Sequence, residues 1–225
     1  MNHYDYCAQF VRPVGKILDV GSGRGQFLCE MAKRGFAAYG VEIYPPYIEE
    51  AQALANASQV NVFWQNAPAE QLPFADEYFN FVNCTEVSEH VENPQQMCRE
   101  IWRVIKPGGR CYISFHNRYG YYDYHYHLYF INWLPRSWSE RALKFLNKQK
   151  QDEAFGRQKL TTMHYYTYRK VARMLKDIGF EMQDVRAEKI KNKFGLLSPV
   201  FLSVYFLILR PFYFNSFHLL LSKNR

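Results

Sequence analysis

The residues best suited to chemistry in this 225-residue chain begin with a glycine-rich turn that follows Asp19. An apolar run that carries Asp19 breaks, before a helical pattern begins, into Gly21, Ser22, Gly23, Arg24 and Gly25. Glycines permit the backbone angles of a tight turn and let a ligand approach the main chain where a Cβ atom would collide. The free N–H groups of the first helical turn then face that ligand. The pattern predicts a small-molecule site at a strand–turn–helix junction.

A second acidic residue indicates the kind of ligand. Glu42 ends the next apolar strand, about 20 residues further on, where a pair of ribose hydroxyls would be held. The sequence Gly-x-Gly-x-Gly lacks the third-glycine spacing of the dinucleotide fingerprint. We therefore expect a nucleoside-like ligand without a pyrophosphate.

A cluster of acids and a histidine follows a later predicted strand. Glu86, Glu89 and His90 stand at the carboxyl end of that strand, where open α/β sheets place their ligands. If they converge in one helical turn, they and His164 offer oxygen and imidazole ligands that suit Mg²⁺, Mn²⁺ or Zn²⁺. Without a metal, His90 or His164 could act as a general base, because imidazole titrates near neutrality. The alternative is a turn that only packs against the glycine-rich loop.

The elements that must position these residues alternate between strands and helices. Apolar runs and their spacing predict strands over residues 17–20, 36–42, 60–65, 78–84, 110–115, 180–186 and 216–222. Helical periodicity predicts helices over residues 27–32, 45–56, 94–105 and 167–178, with Lys106–Gly109 ending the third of them. This alternation predicts a parallel sheet.

Three segments carry a family resemblance. LDVGSGRG at 18–25, NAPAEQLPF at 66–74 and the helix, Pro-Gly-Gly turn and strand over 94–115 resemble class I S-adenosylmethionine (SAM) dependent methyltransferases. Within that class the chain is similar to the methyltransferase type 11 domain family and to the ubiquinone-biosynthesis O-methyltransferases. The resemblance implies an α/β fold, namely a Rossmann-like seven-stranded sheet of order 3-2-1-4-5-7-6 flanked by helices.

The same resemblance implies SAM as the cofactor, with Asp19 and the loop around its methionine moiety and Glu42 on its ribose. The implied cofactor-binding set is Asp19, Gly21, Ser22, Gly23, Gly25, Glu42, Ile43, Ala69, Glu70 and Cys84. One position departs from the family pattern, because Pro68 stands where the family usually has Asp. Proline cannot accept the adenine amino proton through its side chain, so backbone contacts at Ala69 would have to suffice.

The acid and histidine set also resembles that of two metal-using groups, the ubiquinone-biosynthesis O-methyltransferases and the enzymes that 2′-O-methylate the 3′ end of small RNAs. The resemblance implies a divalent cation held by Glu86, Glu89, His90 and His164 that binds the acceptor oxygens and lowers the pKa of the attacking hydroxyl. His90 and His164 are accordingly the expected catalytic residues.

A large insertion is predicted after strand five, at about 117–165, because some 50 residues greatly exceed an ordinary connection. Its aromatic side chains could form a small core or line a lid over the acceptor. They are Tyr119, Tyr121, Tyr122, Tyr124, Tyr126, Tyr129, Trp133 and Trp138. His116, His125 and His127 are expected to be satisfied polar groups or acceptor contacts. We expect the insertion to belong to a single domain over residues 1–225.

An apolar segment at 194–210 reads FGLLSPVFLSVYFLILR and has no charge before Arg210. It is shorter than the ~20 residues of an ordinary membrane span, and Pro199 interrupts it. The basic residues at its two ends are Lys189, Lys191, Lys193 and Arg210. Such flanks suit a helix lying in a membrane interface, while burial and a dimer face are the alternatives.

The composition is typical of a cytoplasmic protein. The five cysteines are never spaced C-x-x-C and lie mostly in apolar runs, so we expect reduced core residues. No basic-then-apolar stretch precedes the first strand, so a secretory signal is not expected. The net charge of +7 favours phosphate-bearing partners or an anionic membrane surface. We therefore expect cytoplasmic localisation with peripheral membrane contact.

These observations together predict an enzyme that O-methylates a hydroxyl of a small molecule, glycan or lipid-linked acceptor. One alternative is an RNA 3′-terminal 2′-O-methyltransferase, which the acid and histidine set and the basic second half favour. Another is a SAM-binding scaffold without turnover, to which the Pro68 departure points. A small-molecule or lipid-linked acceptor is expected ahead of nucleic acid.

Overall fold

The computed structural model describes residues 2–12, 14–148, 151–152, 156–157 and 159–224. A seven-stranded sheet contains β1 Lys16–Val20, β2 Ala37–Glu42, β3 Val62–Asn66, β4 Phe79–Cys84, β5 Ile105–His116, β6 Glu181–Asp184 and β7 Ser216–Ser222. Its strand order is β3-β2-β1-β4-β5-β7-β6. β1 to β5 pair with one another in parallel. The predicted Rossmann-like fold and strand order are confirmed.

The helices are α1 His3–Ala8, α2 Gln26–Lys33, α3 Pro45–Ala57, α4 Pro94–Val104, α5 Arg136–Phe145, α6 Tyr168–Ile178, α7 Val185–Phe194 and α8 Ser198–Val204. Shorter elements are the 3₁₀ turns Ile131–Trp133 and Gly195–Leu197, the π-helical run Tyr205–Tyr213 and two strand pairs. The pairs join Tyr122–Asp123 to Leu128–Tyr129 and Gln151–Asp152 to Gly156–Arg157.

The central strands and helices form where buried apolar side chains repeat at the period of each element. Ile17, Leu18 and Val20 on β1 are all fully buried, as expected for a parallel strand covered on both faces. In α4, Asn93 caps the first turn by accepting a hydrogen bond from the Gln96 N–H at 3.0 Å. The following turns bury Met97, Ile101 and Val104, so the apolar face of this helix packs into the core.

Two predicted element ends are wrong. Lys106–Gly109 was predicted to end the preceding helix, but these residues lie within β5, whose register with β4 shifts between Phe79 and Phe81. The Pro-Gly-Gly sequence therefore forms a strand irregularity rather than a helix stop. The sixth strand ends at Asp184 rather than at 186, because the Asp184 carboxylate accepts hydrogen bonds from the Arg186 and Ala187 N–H groups and starts α7.

The chain divides into two compact units. The first unit comprises Met1–Ser114, Met174–Gln183 and Leu219–Arg225, and the second comprises Phe115–Arg173 and Asp184–His218. The second unit therefore collects the insertion after β5 and the apolar segment between β6 and β7. The five cysteines are free and buried, as predicted.

The insertion has a small core of its own. Its buried members are Tyr126, Ile131, Leu143, Leu160 and Met163. Of the eight aromatic residues predicted to form a core or a lid, Tyr126 is buried, whereas Tyr124, Tyr129 and Trp138 are more than half exposed.

Candidate functional site

The glycine-rich loop lies between β1 and α2 and is fastened to the end of β2. The N–H groups of Gly21 and Ser22 donate to the Val41 carbonyl at 2.8 and 3.0 Å. Gly21 has a φ of +68°, and a Cβ atom there would lie 2.3 Å from a methyl carbon of Val87. Gly23 also has a positive φ, but no heavy atom lies within 4 Å of the place its Cβ would take. The loop thus requires glycine for packing at Gly21 and is open at Gly23.

Glu42 holds the loop from the end of β2. One oxygen of its buried carboxylate accepts from the Gly23 N–H at 2.9 Å. The other oxygen accepts from the N–H groups of Ile43 and Tyr44 at 2.8 and 3.0 Å. Three backbone donors therefore fix a negative charge beside the open part of the loop, where the sequence predicts the ribose. Ile43 follows it on the surface, half exposed.

Asp19 is a buried acid at the end of β1. It accepts a hydrogen bond from the Asn83 amide at 2.7 Å. Burial raises the pKa of Asp19 to about 8, the Asn83 hydrogen bond opposes this rise and the charge of Glu42 adds to it. Without a ligand the carboxyl is therefore mostly protonated near neutral pH, and a cationic group beside it would favour its ionised form.

Two residues beside Asp19 were missed from the sequence. The Asn83 side-chain oxygen lies 3.1 Å from Nε2 of His3, so α1 reaches Asp19 through Asn83. The His3 ring also packs against Tyr112 and Phe27, with ring centroids 4.6 and 5.5 Å away. A polar side chain at a buried position of β4 was a usable signal for Asn83. His3 offered none, because its role depends on a contact 80 residues away.

The remaining predicted cofactor residues differ in what they can offer a ligand. Ala69 is buried. Glu70 accepts with one carboxylate oxygen from the N–H groups of Glu92 and Asn93, which fastens the turn before α4. The Cys84 thiol is fully buried 3.9 Å from the Met97 sulfur, and burial raises its pKa well above the ordinary value. The whole residue is buried, and its contact with a cofactor stays a prediction.

The acid and histidine cluster after β4 forms a tight turn rather than a helical one. The His90 N–H donates to the Val87 carbonyl at 2.9 Å. Glu86 has a φ of +58°, and its carboxylate accepts from the Ser114 hydroxyl at 3.2 Å. Glu89 is fully buried with an oxygen 3.6 Å from Nε2 of His90.

The donor chemistry of this turn suits a divalent cation. Glu86 and Glu89 can each place a carboxylate oxygen within 4.8 Å of the other, and His90 adds an imidazole nitrogen beside Glu89. Two carboxylates at this separation repel each other, and a cation between them would remove that repulsion. His164 lies in the second unit, where its ring stacks on Tyr166. Its participation as a ligand or base stays a prediction.

The second unit contains an organised polar cluster centred on Asp123. Its buried carboxylate accepts from the Asn132 amide at 2.6 Å and from the Tyr165 hydroxyl at 2.7 Å. Nδ1 of His125 lies 3.3 Å from the same hydroxyl. Burial, followed by the charge of Asp123, raises the pKa of Tyr165 well above its ordinary value. Asp123 thus orders the insertion, and His125 is part of a satisfied polar network, one of its two predicted roles.

Known proteins resemble this chain in sequence and in fold. Residues 18–113 match the family model described as a methyltransferase domain. A ubiquinone biosynthesis O-methyltransferase of Coxiella burnetii is 33% identical over 142 residues, 61% of this chain and 60% of the relative. A ubiquinone/menaquinone biosynthesis C-methyltransferase of Geotalea daltonii is 33% identical over 132 residues, 55% of each chain. The chain thus spans about 60% of the length of the first of these relatives.

A solved structure, the YcgJ protein of Bacillus subtilis, superimposes with a TM-score of 0.63 at 17% identity. The superposition covers 99% of this chain and 96% of the other. At that identity the likeness concerns the fold.

Proposed function

Residues 18–113 belong to the family of SAM-dependent methyltransferase domains, and on this premise we propose that the protein methylates a hydroxyl group of a small-molecule or lipid-linked acceptor. The observation that carries the proposal is the pair of buried acids, Asp19 and Glu42, at the ends of adjacent strands on either side of an open glycine loop. In our proposal Glu42 binds the ribose hydroxyls, and Asp19 faces the cationic methionine end of SAM.

The proposed reaction is an in-line substitution. The acceptor oxygen forms a bond to the methyl carbon while the bond from that carbon to the sulfonium sulfur breaks. Because the sulfonium is already a good leaving group, the protein mainly aligns the reactants and removes the hydroxyl proton. The proton goes to a base, for which His90 and His164 are the candidates.

The acid turn after β4 supplies the proposed environment for that proton transfer. Glu86, Glu89 and His90 would hold a divalent cation, with His164 as a further ligand. Such a cation would bind the acceptor oxygen and lower the pKa of its hydroxyl. If no cation binds, His90, whose Nε2 lies 3.6 Å from a carboxylate oxygen of the buried Glu89, would take the proton directly.

The acceptor class is inferred from two observations. The relatives found by sequence are named for ubiquinone or ubiquinone/menaquinone biosynthesis, and a quinone is a planar carbon ring. The second unit of this chain exposes aromatic side chains, among them Tyr124, Tyr129 and Trp138, that can stack on such a ring. We therefore place an aromatic hydroxyl on an apolar carrier ahead of a nucleic acid.

The test uses SAM with a labelled methyl group and three acceptors: a catechol with a polyprenyl tail, the same catechol without the tail, and RNA with a free 3′ end. Each is incubated with Mg²⁺ and, separately, with a chelator. We expect label in the prenylated catechol, and chelation to reduce it if the acid turn holds a cation. Glu42→Ala should reduce labelling at SAM concentrations near the wild-type Kd, whereas Glu49→Ala, an exposed acid on α3, should not.

The alternative functions give different results in the same assay. Label in RNA alone would contradict the proposal and support 3′-terminal 2′-O-methylation, to which the net charge of +7 is suited. Tight SAM binding without label in any acceptor would contradict the proposed methyl transfer and support a SAM-binding scaffold without turnover.

A further inference from the structure

The segment between β6 and β7 folds back on itself as a helical hairpin. Among the described residues, one helical run, Val185–Tyr213, is long and apolar enough to cross a membrane, with 29 residues. Its course is not straight, because the Tyr205 hydroxyl donates to both carboxylate oxygens of Asp184 at 2.9 Å. A straight helix would separate these residues by about 30 Å. The chain thus runs out along α7 and returns along α8, so that Tyr205 comes back to Asp184.

The turn of the hairpin is apolar and exposed. Leu196 at the turn is 100% exposed, and Leu197 and Val200 beside it are 65% exposed. The returning arm exposes Leu207 and Ile208 in the same way. Only 6% of the most apolar part of the run is buried. These side chains are therefore not buried against the described part of the chain, and burial was one of the alternatives for this segment.

The polar contacts of the hairpin are concentrated at its base. Asp184 caps α7, accepts from Tyr205 and lies 3.6 Å from the Arg210 guanidinium. The Asn117 amide donates to the carbonyls of Arg210, Pro211 and Phe214 at 2.7 to 3.1 Å. The base is therefore held rigidly, and the apolar turn projects from it.

Positive charge adjoins the apolar turn. Between residues 185 and 213 there are five basic residues and one acid, Glu188, so the hairpin carries a net charge of +4. Lys191 and Lys193 on the last turn of α7 are both exposed directly before the apolar turn. An apolar turn that follows two exposed lysines complements a surface whose interior is apolar and whose boundary carries negative charge.

Aromatic residues of the insertion pack against the last residues of the helical run. Trp133 contacts Phe212 with ring centroids 5.8 Å apart, and Tyr121 stacks on Tyr213 at 4.9 Å. Trp133, Phe212 and Tyr213 are each more than 40% exposed. Exposed Trp and Tyr side chains favour the boundary between lipid and water.

We propose that this hairpin docks the protein on an anionic lipid bilayer, with Leu196, Leu197 and Val200 in the acyl boundary and Lys191 and Lys193 among the phosphates. α7 has ten residues, or about 15 Å, which is half of the ~30 Å hydrocarbon core. The hairpin therefore inserts into one leaflet and does not span the bilayer. A second copy of the chain is the less suitable partner, because it would bring another +4 hairpin against this one.

Docking gives a readout separate from methyl transfer, since vesicle binding needs neither SAM nor an acceptor. Co-sedimentation is measured with vesicles of phosphatidylcholine alone and of phosphatidylcholine with phosphatidylglycerol. We expect wild-type binding to be at least about tenfold tighter with the anionic lipid, and to weaken as salt is raised. Lys191→Gln with Lys193→Gln should remove most of that preference.

The apolar contribution is tested by Leu196→Glu, which changes a fully exposed side chain and should not affect folding. We expect vesicle binding to fall at least about tenfold, because a charge replaces an inserted leucine. The matched control is Phe63→Glu on β3, which removes an exposed apolar side chain in the first unit. Its vesicle binding and the SAM affinity of both variants should equal those of the wild type.

Two results would overturn the docking assignment. One is wild-type protein that stays in the supernatant with anionic vesicles, and the other is equal vesicle binding by wild type and Leu196→Glu. A dimer in sedimentation velocity that Leu196→Glu dissociates, with no vesicle binding, would replace the bilayer by a second copy of the chain. If the wild-type protein binds vesicles but transfers no methyl group to any acceptor, that result contradicts the proposed function and supports docking.

Discussion

The protonation of Asp19 links the chemistry of the candidate site to an observable proton balance. Its carboxyl is buried next to Glu42 and Asn83, and its pKa is raised to about 8 from an ordinary 3.8. SAM carries a sulfonium charge and an ammonium group. A cation bound beside Asp19 would lower its pKa again, so SAM bound as proposed would release the proton that Asp19 holds in the free protein.

The first prediction follows from that proton. Binding of SAM at pH 7 should release close to one proton, and SAM affinity should rise up to about tenfold per pH unit from pH 6 until it levels near pH 8. Isothermal titration in buffers of different ionisation enthalpy measures the release. Asp19→Asn should weaken SAM binding and abolish this component of proton release. Wild-type binding without proton release would contradict the proposed contact between Asp19 and the cationic part of SAM.

Individual site residues were predictable where a local pattern carries them. Asp19, Glu42 and the loop glycines follow from their positions at strand ends and in a turn, and the structure brings them together. His3 and Asn83 form contacts across 64 to 80 residues that no local pattern specifies. The acids and His90 were expected to converge if their segment formed one helical turn, and the segment forms a tight turn instead. The reason is that residue spacing alone does not distinguish a helical turn from the tight turn closed by Val87 and His90.

At the scale of elements, Asp184 has three roles in one carboxylate. It caps α7, accepts the Tyr205 hydroxyl and pairs with Arg210 across the base of the hairpin. The same carboxylate raises the pKa of Tyr205, after the larger effect of burial. The end of β6, the start of α7 and the return of the hairpin therefore depend on one side chain.

Asp184→Ala should accordingly lower the free energy of unfolding by about 2–4 kcal/mol, since it removes a helix cap and leaves Tyr205 and Arg210 without their acceptor. Urea denaturation measures the change. Tyr205→Phe, which removes a single donor, should cost about 1 kcal/mol. Asp177→Ala, at an exposed acid on α6, serves as the control and should have no measurable effect. Equal stability of Asp184→Ala and Asp177→Ala would contradict the role of Asp184 at the base.

The elements of the sheet were more predictable than the course of the hairpin. Strand and helix periodicity placed the seven strands within a few residues, apart from β5, which begins at Ile105 because a bulge rather than a helix stop occupies Lys106–Gly109. Pro199 indicated an interruption in the apolar segment. The complete reversal was not predicted, because it rests on the contact of Tyr205 with Asp184, 21 residues earlier.

For the molecule as a whole, the proposed SAM binding and the proposed membrane docking belong to different compact units. The first unit contains Asp19 and Glu42, the acids proposed to bind SAM, and the second contains the insertion and the hairpin. Proposed docking of the hairpin keeps the enzyme at the surface where a lipid-linked acceptor is concentrated, so that binding and catalysis contribute separately to activity.

Hydrogen exchange with and without anionic vesicles tests this division. Amides of residues 195–204 should exchange more slowly when vesicles are present, because insertion shields the turn and α8 from water. Amides of β1 and β2 should be unaffected, which makes the sheet an internal control. Protection spread evenly over both units, or protection of the sheet alone, would contradict docking through the hairpin.

The most direct measurement of the central claim is SAM affinity by isothermal titration for the wild type, Glu42→Ala and Glu49→Ala. Loss of the Glu42 carboxylate removes its hydrogen bonds to the ribose and its hold on Gly23, and should weaken binding about 10- to 100-fold, whereas Glu49→Ala should bind as the wild type does. Such a result would place the ribose of SAM at the end of β2. Equal affinities for all three proteins would contradict the cofactor site on which the proposed methyl transfer depends.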